Sequence, residues 1–142
     1  MIDHAGIAVL IPHHGAMVLL DTVEHWSPAG IICTASSHRD PANPLAAEGV
    51  LDAICGIEYA AQAMALHGAL TAAAASPRLG YLASVRDLDC AIARLDTLDG
   101  LTIAADQLHA EAGRVIYRFA LTSDGRPVLS GRAAVVLDGT VP

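Results

Sequence analysis

The segment from Leu51 to Ala75 runs without proline, consists mostly of alanine and other apolar residues, and has strand-like sequence on both sides. Within it Ile54, Ile57, Ala61, Met64, Ala65 and Leu70 recur at helical spacing, and the Ser76-Pro77 pair supplies a stop. Asp52 sits near the start, where a carboxylate suits the positive end of a helix dipole. At ~1.5 Å per residue this predicts one helix of roughly 36 Å, long for a chain of 142 residues. Its alanines and glycines give it a thin profile. A curved sheet can approach such a helix closely, whereas a bundle helix presents larger Leu or Ile knobs.

The flanking sequence supplies that sheet. "AMVLLDTVEHW" and "GIICTASS" read as two strands joined by the turn Ser27-Pro28-Ala29-Gly30. Pro41 and Pro44 make "HRDPANPLAAEG" a loop that delivers the chain to the helix. After the helix, "LGYLASVRDL", "GLTIAADQLHAEA" and "RVIYRFALTSDGRPVLSGRAAVVLD" all read as strand, with Asp124-Gly125 a hairpin signal. The layout is α+β, an antiparallel sheet against one long helix in a single domain spanning residues 1–142. Hydrophobic residues make up 54% of the chain and charged residues 16%, too little polar material to cover a monomer, so sheet edges are expected to pair between two copies.

The polar content excludes several functions. Net charge is -7 and all eight basic residues are arginines, which leaves no lysine for Schiff-base chemistry and no basic tract for nucleic acid. Three widely spaced cysteines form neither a disulfide framework nor a zinc knuckle, and they suit a reducing cytoplasm. The N-terminus lacks the basic region of a signal peptide, and Glu58, Gln62 and His67 interrupt the one segment long enough to span a membrane. No pair among the seven histidines has metal-ligand spacing with a third ligand nearby, so neither a metal nor another cofactor is expected.

Glu58 and Gln62 stand out against this background. At i and i+4 they project from the same side of a helix that offers little polar face, and a buried carboxylate is costly without partners or work. Cys55, one turn before Glu58, reads as small buried filler rather than a nucleophile.

Four stretches then carry a resemblance over most of the chain. "IPHHGAMVLLDTVEHW", "IEYAAQAMA", "LGYLASVRDLDC" and the segment from Asp99 to Leu137 follow, in order, the hot-dog-fold 3-hydroxyacyl-acyl carrier protein dehydratases, closest to the polyene-type branch with a "GIEYMAQA"-like helix. The resemblance implies a sheet wrapped around a central helix, dimerisation through the sheet, and active sites at the dimer interface. There a histidine takes the proton next to the thioester carbonyl while a helix carboxyl protonates the departing 3-hydroxyl.

Carried over by position, Glu58 matches the family glutamate as general acid and Gln62 the glutamine one turn later. Counting back to the family histidine lands on Pro44, with Asn43 beside it, and asparagine cannot act as a base near neutral pH. His38 in the same loop is a candidate replacement, or Asn43 orients substrate. The Ala53 amide is a candidate donor to the thioester oxygen, with Ile54 and Ile57 as substrate contacts. His13 and His14 match a structural segment, and His67 lies far around the helix from Glu58.

The implied partners are an acyl carrier protein thioester and either a second copy or a histidine-bearing dehydratase paralogue. Two alternatives stay open: an acyl thioesterase using the helix carboxylate, and a non-catalytic acyl-binding scaffold subunit. Arg78, Arg86 and Arg94 are candidates for meeting an acidic carrier protein.

Overall fold

The computed structural model describes residues 1–72 and 80–137. After a short helix α1 (His4–Ala8), capped by the Asp3 carboxylate on Gly6 N, come β1 (Thr22–Ser27) and β2 (Gly30–Ala35). The main helix α2 (Gly56–Thr71) follows, then β3 (Gly80–Cys90), β4 (Leu101–Glu111), β5 (Arg114–Ser123) and β6 (Arg126–Leu137). The six strands form one sheet in the order β1-β2-β4-β5-β6-β3, with every pair antiparallel. This is the expected α+β hot-dog arrangement.

Both hairpins fall where the turn residues put them. Ser27 pairs with Gly30 around Pro28-Ala29, and Ser123 pairs with Arg126 around Asp124-Gly125, whose φ values of 51° and 73° lie in the left-handed region that this turn needs. Beside the first of these turns, a Cβ on Gly30 would come within 2.7 Å of the Ala105 carbonyl oxygen. Glycine is what lets β4 approach there.

Two elements are shorter than expected. β1 begins at Thr22, not Ala16, because the backbone just before it bonds side chains: Leu19 N donates to the Gln62 amide oxygen and Met17 O accepts from the Gln62 amide nitrogen. Strand pairing starts only at Asp21, whose N–H donates to Thr34 O. The helix covers 16 residues from Gly56 after a 3-10 turn at Ala53–Cys55, and Ala72 turns extended. The expected stop at Ser76-Pro77 and the candidate Arg78 lie outside the described residues.

α2 packs on β2, β4 and β5, and its sheet-facing residues Tyr59, Ala60, Ala63, Leu66 and His67 are fully buried. Burial of Leu66 contributes roughly 1.5–3 kcal/mol. The facing strand residues Ile31, Cys33, Ile103, Ala105, Phe119 and Leu121 complete the core. Among the described residues no helix is long and apolar enough to cross a membrane. β3 is an edge strand and leaves Tyr81, Leu82 and Leu88 exposed.

Candidate active site

One side of α2 carries Glu58, Ala61, Ala65, Gly68 and Ala69, one residue per turn or thereabouts, with Ala72 just past its end. With Met64 these line a cleft of about 700 Å³ whose other walls come from Leu10, Pro12 and His13, from Tyr81 and Leu82 on β3, and from Gln107, Tyr117 and Val135 across the sheet. The volume is that of a site for a small ligand or an acyl chain. Small residues on the helix make it roomy, and the lining is chiefly apolar. Glu58 and His13 are its ionisable pair besides two tyrosines.

Glu58 is half-buried rather than enclosed, and its Oε1 lies 3.2 Å from His13 Nε2. His13 Nδ1 is buried without a hydrogen-bond partner among the described residues. Gln62, one turn further along, is fully buried and does not bond Glu58. Its amide instead grips the chain that carries His13, taking Leu19 N–H at 3.0 Å and donating to Met17 O at 2.6 Å. Glu58 and Gln62 thus do project to one side, and both hold the same N-terminal segment.

The other expected site residues are not gathered here. Asn43 is buried and its amide is fully committed: Nδ2 donates to Ser37 O at 2.9 Å and to the Tyr59 hydroxyl at 3.0 Å, while Oδ1 accepts from Leu45 N. Ser37 Oγ donates to Leu19 O at 2.7 Å, so the Tyr59 O–H, 2.8 Å away, donates to Ser37 Oγ. Burial raises the Tyr59 pKa against the opposing pull of Ser37 and Asn43, in keeping with a phenol that keeps its proton.

His38 is also buried, and its Nε2 donates to the carbonyls of Leu98 and Asp99, which bolts the loop to the β3–β4 connection. Neither residue lines the cleft of its own chain, and both side chains are held by the contacts just described. The Ala53 amide is likewise occupied, donating to Ala93 O at 3.0 Å. Ile54 is exposed and Ile57 packs against the core, so these two are not cleft contacts either.

The pairing of His13 with Glu58 is not legible in the sequence. The histidine lies 45 positions from Glu58, and its "PHHG" context matched a structural segment, so nothing local pointed to the pairing. On the core side of α2, His67 bridges Ser27 O and the Tyr117 hydroxyl at 2.8 Å each, and burial pushes Tyr117 up to about 12. Among the described residues no group of three His, Cys, Asp or Glu side chains could hold a metal.

A sequence model of the ApeP-like family, described as ApeP dehydratase, matches residues 5–139. The chain belongs to the ApeP-like dehydratase family. No curated protein matches it in sequence. Among solved structures, the dehydratase heterocomplex ApeI:P from Xenorhabdus doucetiae superposes with a TM-score of 0.84 at 22% identity, covering 94% of this chain and 91% of that one. The thioesterase HI1161 from Haemophilus influenzae gives 0.70 at 10% identity over 100% and 94% of the two chains. A mutant of thioesterase PA1618 from Pseudomonas aeruginosa gives 0.63 at 14% over 83% and 80%. These likenesses establish the fold, and the family match makes the chain dehydratase-like.

Proposed function

We propose that this ApeP-like chain is a subunit of a heteromeric 3-hydroxyacyl-acyl carrier protein dehydratase, with Glu58 as the general acid, serving fatty acid, polyketide or aryl polyene type biosynthesis. The observation that carries the reading is Glu58 at the wall of an apolar cleft of about 700 Å³, large enough for an acyl chain. A carboxyl group in such surroundings acts in a medium of low dielectric, where its interaction with a departing hydroxyl counts for more than in water. As the 3-hydroxyl leaves, Glu58 supplies its proton and water departs, while a base removes the proton next to the thioester carbonyl. Because Asn43 and His38 are both committed to backbone and phenol contacts, the loop of this chain is an unsuitable source of that base.

A histidine-bearing paralogue paired through the exposed β3 edge is the natural source. The similarity to a protein described as a dehydratase heterocomplex supports that assembly. Arg86, exposed on β3, then lies on the strand nearest the partner. The test is to incubate the chain alone, and with such a paralogue, with a 3-hydroxyacyl carrier protein and to follow the loss of water by mass spectrometry. Dehydration by the pair that disappears with Glu58→Ala is the expected result. Release of free acid points to a thioesterase instead, and carrier protein binding without turnover points to a scaffold.

A further inference from the structure

The proposed reaction leaves His13 without a task, yet its ring hydrogen-bonds Glu58. We propose that His13 is a positioning residue for Glu58, donating its Nε2–H to Oε1 so that Oε2 is the oxygen that carries and delivers the proton. The inference rests on the reading of Glu58 as the general acid. Three observations lead to it.

The first is the contact itself, 3.2 Å from Nε2 to Oε1 with both residues lining the cleft. The second concerns the other ring nitrogen. Nδ1 is buried and meets no hydrogen-bond partner among the described residues. A buried N–H without an acceptor is costly, so the tautomer with hydrogen on Nε2 is the one these surroundings accept. That hydrogen then faces Glu58. The third is how the ring is held. Gln62, one turn from Glu58 on α2, clamps the backbone at Met17 and Leu19, so the segment that bears His13 is anchored four residues further along the chain.

The consequence for catalysis follows from what happens to the hydrogen bond during proton transfer. Before transfer, Nε2–H donates to the carbonyl oxygen of a neutral carboxyl. When Oε2–H passes its proton to the 3-hydroxyl and the carbon-oxygen bond breaks, Glu58 becomes a carboxylate and the same bond becomes charge-assisted, about twice as strong. The gain arises as the proton leaves and not in the resting site, which is the condition for accelerating the step. His13 neither gains nor loses a proton.

The experiment uses the assembled complex with a 3-hydroxyacyl carrier protein, and measures kcat, KM and thermal midpoint for each variant. His13→Ala is expected to lower kcat by about 10–100-fold while KM and the midpoint stay near those of the parent protein, the size typical of losing a group that orients a working ligand. His13→Gln keeps an N–H donor and is expected to recover most of that loss. If His13→Ala leaves kcat unchanged while Glu58→Gln abolishes turnover, the proposal is overturned and the dehydratase reading stands. Equal loss in the Gln and Ala variants overturns it in favour of a proton-transfer or packing role. Retained turnover in Glu58→Gln, or no dehydration by the parent complex, overturns the dehydratase reading and this proposal with it.

Discussion

Tyr117 and Asn43 show how single side chains on either side of α2 use their polar atoms for structure. Tyr117 Oη meets His67 Nδ1 at 2.8 Å inside the core, and His67 Nε2 donates to Ser27 O, so Nδ1 is the acceptor and the phenol the donor. With burial pushing Tyr117 up to about 12, the phenol keeps that hydrogen throughout the working range of pH. Tyr117→Phe leaves a buried ring nitrogen unpaired and is expected to cost about 1–3 kcal/mol in urea unfolding. Asn43→Ala removes both donors from the Ser37 carbonyl and the Tyr59 hydroxyl. It is expected to lower stability by a similar roughly 1–3 kcal/mol while the complex that folds keeps its kcat, read by unfolding and turnover in parallel. An asparagine acting in place of the family histidine gives the opposite pattern, a large loss of kcat at constant stability.

The strands and connections make their own demands. Where β2 meets β4, Gly30 leaves no room for a side chain because the nearest atom is Ala105 backbone oxygen, 2.7 Å from an added Cβ. Backbone cannot swing aside as a leucine tip can. Gly30→Ala is therefore expected to destabilise by about 1–3 kcal/mol, measured as a lower urea midpoint with unchanged slope. The approach to α2 depends on charge: Asp96 accepts from Leu51 N at 3.0 Å and pairs with Arg94. The Arg94 hydrogen bond first, and the Leu51 N–H second, hold the Asp96 carboxyl well below the usual carboxylate range. A group depressed in the folded state adds stability that is complete above its unfolded value, near 4, and is lost as pH falls through the lower folded value. Stability is thus expected to decline from about pH 4 downward, and Asp96→Asn to flatten that part of the pH profile, as followed by thermal midpoints.

At the scale of the whole molecule, β3 ends the sheet with Tyr81, Leu82 and Leu88 exposed, and the cleft opens beside it. An unprotected apolar edge favours pairing with another chain. Native mass spectrometry at micromolar concentration is expected to find the chain associated, with itself or in equal ratio with a dehydratase paralogue; a monomer under both conditions contradicts this. Much of the architecture was legible beforehand. Helical spacing through Ile57, Ala61 and Met64, the strand-like runs after the helix, and the Ser27-Pro28-Ala29-Gly30 and Asp124-Gly125 turns are local signals, and each element they marked is present. Glu58 and Gln62 were also legible as unusual, since four residues along a helix is a fixed geometry. What the two side chains touch was not. Hydrogen bonds that join positions 13 and 58, or 62 and 19, span 45 and 43 residues and have no period or spacing to betray them. The sequence by itself determined the elements, their turns and one anomalous carboxylate. Only tertiary structure decided which histidine stands beside it, because that depends on where the sheet and the Gln62 clamp bring a distant segment to rest.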